Sequence, residues 1–91
     1  MGIVTGKLIF IDKSILEFME LVSVKEAEYR FHYMGKDKDL IYRWDSAPHH
    51  KEIRTFPYHL HTKKEVKESK KVNFIDILDI VTEKVIECLK L

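Results

Sequence analysis

Cysteine, amide side chains and long apolar runs are nearly missing from this 91-residue sequence. The lone cysteine, Cys88, excludes an internal disulfide and fits a reducing compartment. We expect it to be a small core residue near the end of a helix. No apolar run approaches the roughly 20 residues that cross a bilayer, and the N-terminus lacks a basic segment before its apolar part. We therefore expect a cytoplasmic protein without a membrane partner.

The sequence contains no glutamine and one asparagine, whereas lysine and glutamate dominate its charged residues. This bias is typical of hyperthermophile proteins and indicates a thermophilic archaeal or bacterial source, although an AT-rich genome would also enrich lysine. Hydrophobic residues make up 45% and charged residues 34% of the chain, which predicts a folded protein rather than a disordered one. The length predicts a single domain over residues 1–91.

The net charge of +1 conceals an uneven distribution along the chain. Residues 43–71 carry eight Lys and Arg against four Asp and Glu, whereas the segments on both sides are slightly negative. A local positive field suits a polyanion such as RNA. The lysine-rich segment 62–71 fits a solvated surface loop equally well.

Two segments with alternating apolar and polar residues, 28–34 and 40–45, predict a β-hairpin around the turn signal GKDKD. The alternation places five aromatic rings on one face: Tyr29, Phe31, Tyr33, Tyr42 and Trp44. Such a face must be covered, and rings of this kind form core more often than a nucleotide-stacking platform. Residues 7–12 and 14–24 predict two preceding strands.

The C-terminal segment predicts the helix that covers the aromatic face. Asn73 is a candidate N-cap with Asp76 as its capping-box partner. Apolar residues then recur at three- and four-residue spacing over about five turns: Phe74, Ile77, Leu78, Val81, Val85, Cys88 and Leu89. Three further isoleucines, Ile75, Ile80 and Ile86, widen this face and suggest a protein partner or a homodimer. The predicted fold is α+β, an antiparallel meander of four to five strands with one C-terminal helix packed on its aromatic face.

The same alternation leaves Arg30, His32, Arg43 and Asp45 on the opposite, open face of the hairpin. The chain then runs through two proline-containing loops to the tripeptide HLH. If this tripeptide is a short edge strand, its two histidines share one face.

Four of the five histidines fall within thirteen residues: His49, His50, His59 and His61. Imidazole exchanges protons near neutral pH, and arginine stabilises a crowded phosphate, so the group suits RNA cleavage without a metal or other cofactor. In this hypothesis Arg43 binds phosphate and Asp45 orients Arg43 or a histidine. His49 or His50 is the base and His59 or His61 the acid. The predicted substrate-binding residues are Arg30, His32, Arg54 and Tyr58.

Other roles for these residues remain open at this point. Paired histidines can ligate Zn²⁺ or Ni²⁺ in a metal-dependent hydrolase, but there is no partner cysteine and no HExxH spacing. Histidines in proline-containing loops also serve as hydrogen-bonding structural residues. Arg30 and Arg43 could form ordinary cross-strand ion pairs with Asp45 or Glu28.

The order YRFHYMGKDKDLIYRWDSAPHHKEIRTFPYHLH over residues 29–61 resembles the TumE family, small prokaryotic toxins of type II toxin–antitoxin systems. The family pattern runs YRYHY, a turn, LIFRYDNAPHH and then TFPHHxH. The resemblance implies a toxin that acts on RNA or the translation machinery, with a helix-turn-helix antitoxin as its partner. A non-enzymatic module that blocks its target stoichiometrically is the alternative from another class.

The positions that the resemblance singles out include all the predicted catalytic residues. They are Tyr29, Arg30, His32, Arg43, Asp45, Pro48, His49, His50, Phe56, Pro57, His59 and His61. Three residues depart from the pattern. Trp44 replaces a tyrosine on a core face, Ser46 replaces an asparagine, and Tyr58 replaces the first histidine of the last group. If that missing histidine is the general acid, this copy is weakened.

Overall fold

A computed structural model describes residues 1–24 and 27–90 as one antiparallel sheet and one helix. Six strands follow each other in sequence order across the sheet. Their bounds are β1 Gly2–Ile9, β2 Ile15–Val22, β3 Ala27–Met34, β4 Leu40–Asp45, β5 His59–His61 and β6 Val66–Glu68, and the helix α1 is Phe74–Leu89. The predicted α+β meander with a C-terminal helix is confirmed, with six strands rather than four or five.

The additional strand, β6, lies in the lysine-rich segment for which a solvated loop was one interpretation. It contains a single apolar residue, Val66, and three residues are too few to display a period. The strand forms because a tight turn returns the chain to β5, with the Thr62 N–H donating to the Glu65 carbonyl at 2.9 Å. Pairing with a neighbour, rather than β-propensity, accounts for it.

The aromatic face of the sheet forms the core under α1, as predicted. Phe31 is fully buried, and it contacts Phe74 of the helix with ring centroids 6.5 Å apart. The buried stripe of α1 consists of Ile77, Val81 and Val85, one residue every four positions. The prediction that Cys88 is a core residue is wrong: its side chain is exposed, because the buried stripe ends one turn before the helix does.

The predicted cap of α1 is present in full. The Asp76 N–H donates to the Asn73 Oδ1 at 2.9 Å, and the Asn73 N–H donates to the Asp76 Oδ2 at 3.0 Å. The widening isoleucines Ile75, Ile80 and Ile86 are exposed at 62%, 39% and 47%. No helix in the described ranges is long and apolar enough to cross a membrane.

Removing this cap should measurably destabilise the protein. We expect Asn73→Ala to lower the free energy of unfolding by about 1 kcal/mol, because the Asp76 N–H loses its side-chain acceptor. Urea unfolding followed by circular dichroism measures the change. Glu83→Ala, at an exposed position in the middle of the helix, is the control and should leave the unfolding midpoint nearly unchanged. Equal effects of the two variants would contradict the capping role.

Candidate functional site

Two cross-strand rows of polar residues occupy the open face, the sheet face opposite α1. The pairing of β3, β4 and β5 places each row's members directly opposite one another. The first row is Arg30, Asp45 and His59, and the second is His32, Arg43 and His61. Because directly paired residues point to the same side of a sheet, all six side chains share the open face. The predicted HLH strand therefore brings its histidines to the predicted arginine and aspartate.

His59 is held on both sides of its ring and is 2% exposed. Its Nδ1 lies 2.8 Å from the Pro57 carbonyl, which can only accept, so Nδ1 carries a proton. Its Nε2 lies 2.6 Å from Asp45 Oδ1, a contact that also requires a proton between the two atoms. Asp45 and His59 thus form a buried, proton-sharing pair. At this burial little of the ring is accessible to a large ligand, and the acid role of His59 stays a prediction.

Asp45 orients an arginine as well as a histidine. It is buried at 7% exposure, and its Oδ2 accepts from Arg43 Nε at 3.3 Å. Its Oδ1 also accepts the Ala47 N–H at 3.2 Å, which fixes the start of the following loop. One carboxylate therefore sets the positions of the guanidinium, the buried imidazole and the loop.

His61 is a neutral imidazole beside a fixed cation. Its Nε2 lies 3.2 Å from Arg43 Nη2 and 3.5 Å from Asp45 Oδ2. The contact with the guanidinium is the shorter one, and a guanidinium can only donate, so Nε2 is the acceptor and the proton lies on Nδ1. Desolvation by burial, followed by the charge of Arg43, lowers the pKa of His61 below its ordinary value. At neutral pH the ring therefore holds a lone pair that can accept a proton.

His50 reaches the same place from the loop between β4 and β5. Its ring centroid lies 5.2 Å from that of His59 and 5.6 Å from that of His61, which are 4.8 Å from each other. The His50 Nδ1 donates to Glu52 Oε1 at 3.3 Å, which leaves Nε2 available. The backbone of His50 has φ of 57°, the left-handed region that most residues avoid. These three residues, His50, His59 and His61, are called the histidine cluster below.

Two of the predicted residues lie elsewhere. His49 is exposed and outside the histidine cluster. Tyr58 packs flat against Tyr29, with ring centroids 6.0 Å apart and planes within 3°, at the margin of the hydrophobic core. Its side chain thus has a packing contact with Tyr29, and its predicted contact with substrate stays a prediction.

Arg54 lies at the other end of the first row. Its guanidinium pairs with the Glu68 carboxylate, Nη2 to Oε2 at 2.9 Å, and Glu68 is the β6 partner of His59. The Arg54 side chain remains 76% exposed. It therefore presents a positive group at the rim of the site, and its contact with substrate stays a prediction.

Sequence reasoning missed a pocket of about 360 Å³ that adjoins the site on the open face. Its lining includes Lys7, Glu17, Arg30 and His32. Glu17 is the direct cross-strand partner of both Lys7 and His32. The period-2 pattern of the first two strands could have placed these residues on one face, but only the strand register aligns them with His32.

The site combines groups with distinct chemistry within a few ångströms. It holds an acceptor imidazole, a proton-sharing Asp–His pair and a guanidinium whose side chain is 35% exposed. One ring nitrogen from each member of the histidine cluster lies within 4.8 Å of the others, so these three, among the residues that the structure describes, could together hold a metal ion. The groups could exchange protons with a bound anion or coordinate a cation.

Stability should fall as the pH is lowered, partly through His32. Burial, followed by the charge of Arg43, lowers the pKa of His32; Glu17 opposes this and Arg30 adds to it. Below pH 6.5, the ordinary pKa of histidine, the unfolded chain therefore binds more protons than the folded protein does. Stability present above pH 6.5 is lost as the pH falls toward the folded-state pKa. Urea unfolding of the native protein and of His32→Asn at several pH values measures how the free energy of unfolding depends on pH. An equal dependence in the two proteins would contradict the contribution of His32.

Comparison with known proteins bears on the whole chain. A protein-family model described as Toxin TumE matches residues 1–87. The chain belongs to the TumE toxin family. The match extends from β1 to the last turns of α1, well beyond the segment 29–61 that carries the resemblance in the sequence. No curated protein and no solved structure matches the chain. Membership of this toxin family implies an antitoxin as partner.

The three departures from the TumE pattern have structural explanations. Trp44 is buried in the core, where one large ring substitutes for another. The Oγ of Ser46 accepts the Tyr29 N–H at 3.0 Å, and the Ser46 N–H donates to the Tyr29 carbonyl at 3.2 Å. Ser46 thereby continues the pairing of β3 and β4 beyond Asp45. Tyr58, the third departure, lies against Tyr29 as described above.

Proposed function

We propose that this TumE-family toxin cleaves RNA by metal-independent acid–base chemistry at the open face. The observation that carries the proposal is the placement of two partly exposed imidazoles, His50 and His61, 5.6 Å apart beside Arg43. Cleavage of RNA without a metal needs a base, an acid and a cation for the phosphorane, and these three groups provide them. No other cofactor is required.

The arrangement suggests how each group acts. A phosphate that binds Arg43 draws the guanidinium away from His61 Nε2 and so frees the lone pair of that imidazole. In the reverse of the roles expected from the sequence, His61, whose pKa is lowered, then takes the proton of the ribose 2′-hydroxyl as its oxygen attacks phosphorus. The bond to the 5′ oxygen breaks, and the protonated His50 ring gives that oxygen a proton. The products are a 2′,3′-cyclic phosphate and a free 5′-hydroxyl.

The surroundings of the site favour a polyanionic substrate. Residues 43–71 carry a net positive charge, and Arg54 and Arg30 lie at opposite ends of the row that contains Asp45. The adjoining pocket beside His32 is large enough for part of a flanking nucleotide. Base stacking on the aromatic face plays no part, because that face lies under α1.

The partner in this proposal is a helix-turn-helix antitoxin that neutralises the toxin in the cytoplasm. The exposed isoleucines of α1 also leave a homodimer as a prediction, which sedimentation of the purified protein can test. A gene for a small helix-turn-helix protein adjacent to this one, whose co-expression restores growth, is the expected genetic result. A toxin that arrests growth regardless of such a neighbour would contradict the partner assignment.

The activity can be tested with tag-free protein and cellular RNA in EDTA. We expect cleavage with multiple turnovers and products that end in a 2′,3′-cyclic phosphate, and we expect Arg43→Ala to abolish it. His49→Ala is the matched control, because His49 is an exposed histidine outside the cluster. Intact RNA after long incubation would contradict cleavage, and saturation of ribosomes or tRNA at one equivalent would indicate a stoichiometric blocker instead.

A further inference from the structure

We propose that the histidine cluster is also a binding site for a divalent transition-metal ion such as Zn²⁺, and that the ion inhibits the toxin by occupying it. This inference concerns regulation of the site and rests in part on the proposed function. The metal-binding half stands without it, since binding can be measured in the absence of RNA.

The spacing of the three rings fits a coordination site. In a tetrahedral zinc site with histidine ligands, metal–nitrogen distances of about 2.0–2.1 Å place the ligand nitrogens about 3.3 Å apart. Ring centroids in such a site lie about 5 Å apart by the same geometry. The centroids of the histidine cluster are separated by 4.8, 5.2 and 5.6 Å, and the ligand atoms lie within 4.8 Å of one another. A closure of roughly 1.5 Å at most would complete the site.

The outer nitrogens of two rings are already anchored as they are in metal sites. Metal-binding histidines usually donate their second N–H to a carboxylate or a backbone carbonyl, which fixes the ring and directs the other nitrogen at the ion. The Nδ1 of His50 faces Glu52 at 3.3 Å, and the Nδ1 of His59 faces the Pro57 carbonyl at 2.8 Å. In both residues this leaves Nε2 as the ligand atom.

The backbone allows the required closure. His59 and His61 lie on one face of β5, so their separation is fixed by the strand. His50 lies in the loop before β5 and is 34% exposed, so its ring is the member that can shift.

Two contacts of the ligand nitrogens oppose metal binding, and they explain why the ion would compete with RNA cleavage. The Nε2 of His59 shares a proton with Asp45, and the Nε2 of His61 accepts from Arg43. A metal must replace both contacts and remain near the guanidinium charge, which weakens its binding. Once bound, it occupies the imidazole lone pairs and holds Asp45 and Arg43 away from their positions. The same atoms cannot then exchange protons with RNA.

Titration of tag-free protein, previously dialysed against EDTA, with ZnCl₂ by calorimetry tests the site. We expect one equivalent to bind, and we expect Co²⁺ to give the intense visible absorption of a tetrahedral histidine complex. His50→Ala should weaken binding by at least about 100-fold, and Glu52→Gln by about 10-fold. His49→Ala should bind as the native protein does. His50→Gln, with its fold checked by circular dichroism, replaces His50→Ala if the latter is unfolded.

The outcomes separate this inference from the proposed function. Absence of one-equivalent binding, or equal loss of binding in His49→Ala and His50→Ala, overturns the metal site. Binding together with at least tenfold slower RNA cleavage, reversed by EDTA, supports the whole inference. Binding that accelerates cleavage overturns the inhibition and the metal-free mechanism but supports the site. If no RNA is cleaved under any condition, the proposed function and the inhibition fail, and the titration alone decides the site.

Discussion

Replacing Asp45 with alanine is expected to lower the free energy of unfolding by about 3 to 5 kcal/mol, because a buried ion pair loses one partner. The Asp45 carboxylate contacts the 2%-exposed His59 at 2.6 Å and also accepts from Arg43 and the Ala47 N–H. Without it, a buried imidazole loses the partner of its Nε2, and an arginine and a loop lose their anchor. In a single small domain this is a large part of the total stability.

Urea unfolding at neutral pH measures the loss, and two variants define its origin. Glu68→Ala removes another carboxylate paired with an arginine, but this pair is exposed, so a far smaller change is expected. Combining Asp45→Ala with His59→Gln should cost less than the sum of the two single changes, because they share one interaction. A loss from Asp45→Ala as small as that from Glu68→Ala would mean that the buried pair is not formed.

Changing His50 to alanine is expected to slow RNA cleavage by about 10² to 10⁴-fold, the usual contribution of one general acid or base. The ring centroid lies 5.6 Å from that of His61. Because its Nδ1 faces Glu52, its Nε2 is the nitrogen available to a phosphate. Single-turnover rates in EDTA, with saturating enzyme, separate this loss from weaker binding of the substrate. His49→Ala, one residue away, should retain the native rate.

Glycine at the same position separates catalysis from stability. His50 has φ of 57°, a conformation that glycine adopts without the strain other residues bear. Relief of this strain offsets the greater entropy of glycine in the unfolded chain, so His50→Gly should have an unfolding free energy within about 1 kcal/mol of the native value. We expect a stable but inactive protein. Native-like cleavage by this variant would exclude His50 from the chemistry, whatever its stability.

Local signals were sufficient to predict several elements correctly. The alternation in residues 28–34 and 40–45 predicted the central hairpin and the side on which each residue lies, because a side-chain period of two leaves no choice once the aromatic face is buried. The Asn73 cap and the periodicity that follows predicted α1. Both signals depend on neighbours a few residues apart, and that is the range over which a sequence pattern is informative.

Longer-range pairing limited the rest of the prediction. The strand β6 depends on β5 as a neighbour. The prediction of Cys88 as a core residue is wrong because periodicity does not tell how far along a helix the sheet packs against it. The adjoining pocket needs the register of β1, β2 and β3, which the patterns do not fix. Local patterns likewise do not fix whether His49 or His50 joins the histidine cluster. Consecutive residues in a loop point in directions set by the backbone angles, and those depend on where the loop is attached.

The histidine-rich stretch shows the division between sequence and tertiary structure most clearly. The sequence by itself determined that four histidines lie close along the chain, that Arg43 and Asp45 share the open face, and that HLH can present two imidazoles on one side. These are consequences of local spacing. Only the tertiary structure decided that β5 pairs with β4, that His50 joins the cluster while His49 does not, and that Tyr58 packs on Tyr29. Each of these arrangements depends on contacts between segments that are distant in sequence. Such contacts stabilise the protein only after the sheet has formed.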